Sequence, residues 1–155
     1  MVDSRFEIRD LRSFMALSTD LEILNRALRD LSGCFLQYVG EIWPWTSAGV
    51  DGAKLKTVVD ACLARQRQSI GSLSEYLAPR QSRIEFGSFS AAFTDLHYVS
   101  LQFLLKQLIA SQAEIVESLN RAVTMLPSGD EPQGLLAAVR QNEQDNLAAL
   151  KQATT

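Results

Sequence analysis

Few side chains in this 155-residue sequence could do chemistry, and their spacing narrows the field. His97 is the single imidazole, with Asp95 two residues before it. Glu143 is followed three positions on by Asn146, and Gln66 three positions on by Ser69. Residues three apart share a helix face, so each pair aims two polar groups in one direction. For Gln66, Asn142, Glu143 and Asn146 the expected role is a buried or partly buried polar network that fixes helix register, because buried polar groups are usually paired, with plain surface exposure as the alternative. For His97, alone on an apolar stripe, it is a core histidine hydrogen-bonded to a neighbouring helix. Haem would need a second axial ligand such as Met125, about 28 residues and about 42 Å further along a helix.

Covalent and nucleotide chemistry find no machinery. No Gly-x-Ser-x-Gly turn follows a strand, neither Cys34 nor Cys62 has a histidine at a readable spacing, and glycine-rich phosphate-binding motifs are missing. No catalytic residue is expected. Trp43, Pro44 and Trp45 are the most unusual local feature. With Tyr38 the two tryptophans could line a small apolar pocket or contact a partner. Tryptophan is highly buried on average, so the preferred expectation is that they close the end of a helical bundle against Phe86, Phe89 or an N-terminal helix.

The elements that would position these residues are helices. Leu21, Leu24, Leu28, Leu31, Phe35, Tyr38 and Ile42 follow at alternating steps of three and four, one buried stripe on a long helix. Thr19 and Glu22 form a capping box at its start, and Pro44 ends it. Leu55, Val59, Cys62, Gln66, Ile70, Leu73 and Leu77 repeat the step on a second helix, closed by Pro79. A third stripe takes in Phe93, His97, Leu101, Leu104, Leu108, Ile115, Leu119, Ala122 and Leu126, predicting a helix from about residue 88 to 126. After "PSGDEPQG", Leu136, Val139, Glu143, Leu147 and Leu150 mark a fourth. Ile8, Leu11 and Phe14 predict a short extra helix at residues 4–16. No strand-like alternation of useful length appears.

Composition agrees with a folded chain: 46% hydrophobic and 21% charged residues, the whole expected to form a single helical-bundle domain over residues 1–155. A net charge of −3 supplies no positive field for nucleic acid. The cluster Arg65, Arg67, Arg80 and Arg83 is interrupted by Glu75 and Glu85 and reads as a solvated face. No run approaches a membrane span, and "MVDSRFEIRD" lacks the apolar core of a secretory signal. A cytoplasmic protein with two reduced core thiols is the expectation, with neither nucleic acid nor membrane as partner.

Residues from about 78 to 90 form a link of roughly 13 residues, where neighbouring antiparallel helices usually need 2 to 8. Fully extended, such a link reaches about 43 to 47 Å, longer than the roughly 39 Å of a 26-residue helix. It could cross the whole molecule and leave the second and third helices parallel, with a floppy middle loop in an up-down-up-down bundle as the competing threading. By its helix lengths, its long middle linker and its "FxxxHxxxxxFLL"-like run, the chain resembles the ferritin-like superfamily from about residue 18 to 153.

The resemblance implies an all-α, four-helix bundle with that crossover. It also implies two metal ions at mid-bundle, held by one carboxylate from each of two helices and a Glu-x-x-His pair from each of the others. This chain departs from the pattern. One histidine cannot complete a two-histidine site, Asn146 stands where an imidazole is needed, and no Glu-x-x-His occurs. Aligning Tyr38 with the tyrosine that often follows the family's first glutamate by seven residues puts Leu31 at that ligand position. The expectation is a non-catalytic ferritin-like bundle without metal, a structural or protein-interaction module. The alternatives are an atypical site for iron or another transition metal, drawn from His97, Asp95, Glu143 and Gln66, and a carrier of a small apolar ligand near Trp43 and Tyr38. Phe93 on the stripe of the third helix, with Val99, Phe103, Leu105, Ile109 and Val116 beside that stripe, suggests a homodimer seam.

Overall fold

The computed structural model describes residues 4–43, 49–80 and 84–153; Pro44, Trp45 and Arg83 lie outside them. The described residues are all-helical, as expected, with no strand among them. In chain order they form α1 (Ser4–Ser32), α2 (Phe35–Glu41), α3 (Gly49–Leu77), a 3₁₀ helix (Ala91–Leu96), α4 (Leu101–Met125) and α5 (Glu131–Gln152). None is long and apolar enough to cross a membrane.

Three boundaries differ from the sequence expectation, each for a local reason. The predicted N-terminal helix and the start of the first long helix are one continuous element. Thr19 does not cap it: its hydroxyl donates to the Met15 carbonyl oxygen at 3.0 Å, one turn back inside α1. Residues 14–17, "FMAL", contain no breaker, so a capping sequence in mid-run has nothing to terminate. The run predicted to reach Trp43 unbroken is instead interrupted at Gly33, the residue that costs most in a helix interior after proline. Cys34 is extended (φ −78°, ψ 167°) and starts α2. Ile42 ends α2 in extended geometry and is exposed, so the ladder stops at Tyr38.

The third long helix starts at Leu101 rather than near residue 88. Ser100 caps it, its hydroxyl accepting the Phe103 N–H at 3.2 Å. Upstream, Ser90 and Thr94 bond to their own local backbone, which favours tight turns over a helix. Phe93 and Leu96 still pack against the core, so their apolar spacing is used without an α-helix.

The connection from α3 to α4 is therefore longer than expected, and its path is pinned. Its Glu85 N–H donates to Asn25 Oδ1 at 3.1 Å, and the Glu85 carboxylate accepts from Arg29 at 3.0 Å. The Gly87 N–H donates to Ser32 Oγ at 2.7 Å. Further on, the Phe89 and Phe93 rings sit 5.3 and 5.4 Å from the Tyr38 ring. The connection thus follows α1 toward α2. Gly33 and Gly87 let two backbones touch: a Cβ on Gly33 would lie 2.9 Å from the Ser88 carbonyl oxygen.

The hydrocarbon core forms two clusters. One joins Cys34–Val39 of the α2 region to Leu55, Val59, Cys62 and Leu63 early in α3, Leu104, Leu105 and Leu108 early in α4, and Leu150 late in α5. The other joins Leu21–Leu31 of α1 to Leu73 and Leu77 late in α3, Leu119 and Val123 late in α4, and Leu136 and Val139 early in α5. Along α3, α4 and α5 the stretch between the clusters carries buried polar side chains: Gln66, Gln112, Glu143 and Asn146.

Candidate functional site

That polar waist is the most constrained chemical feature among the described residues. α5 contributes Glu143 and Asn146, α3 contributes Gln66, and each of the three has no solvent-exposed surface. Glu143 Oε2 accepts from Gln112 Nε2 at 2.7 Å, Gln66 Nε2 at 2.9 Å and Asn146 Nδ2 at 3.2 Å. Gln66 is bonded on both ends. Its Oε1 accepts from Gln37 Nε2 at 2.8 Å and from the Cys34 thiol at 3.3 Å. Asn146 Oδ1 accepts from Arg65 at 2.7 Å, and its amide also donates to the Cys62 carbonyl oxygen at 3.2 Å. Asn142 donates to Ser69 Oγ at 3.0 Å. Of the expected network, Gln66, Glu143 and Asn146 are joined to one another, while half-buried Asn142 is bonded to Ser69 beside them.

The carboxylate is held unevenly. Oε1 of Glu143 is buried with no hydrogen-bond partner, while Oε2 carries all three donors. Burial raises the Glu143 carboxyl above its ordinary 4.5, against the opposing pull of the Gln112, Gln66 and Asn146 hydrogen bonds and the Arg65 charge. The folded chain then keeps a proton that the unfolded chain has already released. Stability contributed by the protonated form is present below 4.5 and is lost as pH climbs toward the higher folded value. Glu143→Gln should remove that slope. Urea unfolding at pH 5 and pH 8 checks it: the stability difference between the two pH values is expected to shift in favour of pH 8 in the variant, and an unchanged difference would refute the assignment.

The other sequence-derived candidates lie apart from this centre. His97 ends the 3₁₀ helix, half-buried, and its Nε2 is hydrogen-bonded to the Tyr38 hydroxyl; the two rings stack with centroids 5.6 Å apart. A neighbour on another element was expected for this histidine, and Tyr38 is that neighbour. Asp95 is exposed on the same turn. Of the set His97, Asp95, Glu143 and Gln66, only the last two are bonded to each other. Trp43 is half-buried against the α2 cluster together with Phe89, whereas Phe86 is exposed. Cys34 and Cys62 are free and buried, each thiol pushed up to about 11, chiefly by burial, so neither offers a thiolate.

Three participants were not foreseen. Gln112 stands in the gap between Leu108 and Ile115 on the third stripe, a signal the sequence did carry. Arg65 was assigned to a solvated face, but it reaches Asn146. Gln37, one residue off its stripe, is brought inward by the restart of the chain as α2. Leu31, at the position that the family alignment gave to a ligand, is fully buried in the hydrocarbon cluster of α1 instead.

The donor set does not fit a di-metal centre. The groups converging on Glu143 are amide N–H donors, which complement a carboxylate oxygen and repel a cation. No group of three or more His, Cys, Asp and Glu among the described residues is arranged to hold a metal ion. Compared with protein-family models, curated proteins and solved structures, the chain matches none.

Proposed function

We propose that this chain is a ferritin-like four-helix bundle serving as a structural or protein-interaction module in the cytoplasm, its waist closed by side-chain amides where the related architecture would hold ions. In this reading α1 and α2 together stand as the first helix, and the connection between α3 and α4 is the crossover. The cluster memberships support it: the starts of α3 and α4 share one cluster and their ends the other. Such sharing fits parallel helices, with α1 and α5 running the opposite way. The pinned path of residues 85–97 along α1 and α2 points the same way.

The observation that carries the functional reading is the triple amide contact on Glu143 Oε2. Those three N–H groups fill the hydrogen-bonding positions of Oε2 and would repel a cation there. Glu143 Oε2 is thereby satisfied inside the chain by neutral amide donors from α3, α4 and α5. A second reading, an atypical cation site, draws on the unpartnered Glu143 Oε1. Metal analysis of protein purified from iron-supplemented culture separates the two. Iron well below stoichiometric is the expected result; tightly held stoichiometric iron would sink the module reading.

A further inference from the structure

Residues 10–19 of α1 lie outside both buried clusters. Leu21 is the first α1 residue in a buried cluster, and residues 10–19 are exposed throughout. At 1.5 Å per residue the part of α1 before Leu21 extends about 25 Å. This overhang carries exposed apolar side chains among its charged ones. Ile8 is 54% exposed, Leu11 60%, Phe14 71%, Met15 67% and Leu17 48%. Ile8, Leu11 and Met15 follow at helical steps, and Phe14 stands three after Leu11, so four of the five share one face. A helix of this length is marginal in water unless an amphipathic face is packed.

We propose that a second copy of this chain covers the overhang, the two α1 overhangs pairing antiparallel about a centre near Leu11. The area fits. At their exposures the four side chains on that face present on the order of 500 Å² per chain, so two copies facing each other remove about 1,000 Å², the least area expected of a specific interface. The pairing is isologous and closes on itself, because Ile8 of each copy meets Phe14 and Met15 of the other. It also runs each overhang tip toward the groove between α1 and α4, floored by Ile23, Ile115, Leu119 and Ala122 with Thr19 and Met125 among its lining residues.

The seam expected from the sequence on the third long helix is mostly consumed within one chain. Leu105 and Val116 are buried, and Phe93, Val99 and Ile109 pack against the α2 cluster. Phe103 alone of that set is exposed.

The inference names the partner of the interaction module proposed above and rests on that reading. Metal content and association state are measured separately, so either can fail alone. Light scattering on size-exclusion peaks of the full chain, from about 1 to 100 µM as suits interfaces of this size, should give the mass of a dimer. Leu11→Asp with Phe14→Asp should weaken association at least about tenfold, with near-ultraviolet circular dichroism of the bundle unchanged. Phe103→Asp should leave the dimer intact. A wild-type monomer at the highest concentration, which would leave this face to a different protein, overturns the proposal, as does a dimer that survives the double substitution. Should the double variant fail to fold, Leu11→Cys decides: the antiparallel centre brings the two new thiols together, and mild oxidation must yield a covalent dimer. No cross-link in a dimeric sample overturns the seam.

Discussion

Gln66→Leu is expected to cost about 3 to 5 kcal/mol of stability, although leucine is apolar and similar in size to glutamine. Gln66 is the one side chain that both donates to the buried Glu143 carboxylate and accepts from Gln37 and Cys34. Leucine removes one of three donors from a fully desolvated acid and strands the Gln37 amide inside the core. Hydrocarbon gained at position 66 offsets only part of this, since a buried polar group without a partner costs about 1 to 3 kcal/mol. The decisive measurement is a double-mutant cycle by urea unfolding. Gln66→Leu with Glu143→Leu removes the stranded acid together with its donor, so the pair should be less damaging than the sum of the two single changes. Simple additivity would mean that the contact between α3 and α5 is not energetically coupled.

Gly87→Ala should be nearly as severe, costing about 3 kcal/mol through a clash that no rotamer can relieve. Its new methyl would collide with the Arg29 carbonyl oxygen and lie 2.8 Å from the Gly33 nitrogen, both backbone atoms. Retreat of the connection would break the Gly87 bond to Ser32 and loosen the Glu85 contacts with Asn25 and Arg29. Gly134→Ala is the matching control, because a methyl there meets nothing within 4 Å and improves helix propensity. Thermal unfolding of both proteins tests the idea. A Gly87→Ala protein as stable as wild type would show that the connection is not pressed against α1.

The pattern of types and steps made the helices legible, and it failed where a local competitor decided the outcome. Leu24, Leu28, Leu31, Leu73, Leu104, Leu136 and Leu150 were readable as core because hydrocarbon burial follows periodicity. Thr19 misled because a capping sequence is a preference of the chain at a break, and no break occurs there. His97 looked like part of a helical stripe because its apolar neighbours recur at helical spacing, while Ser90, Thr94 and Ser100 had already bent that backbone into turns. For the waist, helix periodicity pointed to Gln66, Glu143 and Asn146. Gln37 was hidden, since its inward placement depends on the interruption at Gly33 and on two glycines meeting from distant parts of the chain.

The path of the connection from α3 to α4 also bears on how quickly the chain can find its native state. Its bonds to α1 and α2 join residues 55 to 60 positions apart: Ser32 with Gly87, Arg29 with Glu85, Tyr38 with His97 and Asn25 with Glu85. Closing loops of that size costs entropy before any contact rewards it, so helical hairpins such as α4 with α5 can form early while the strap settles late. Refolding should therefore be slower than in a bundle of equal size joined by short turns.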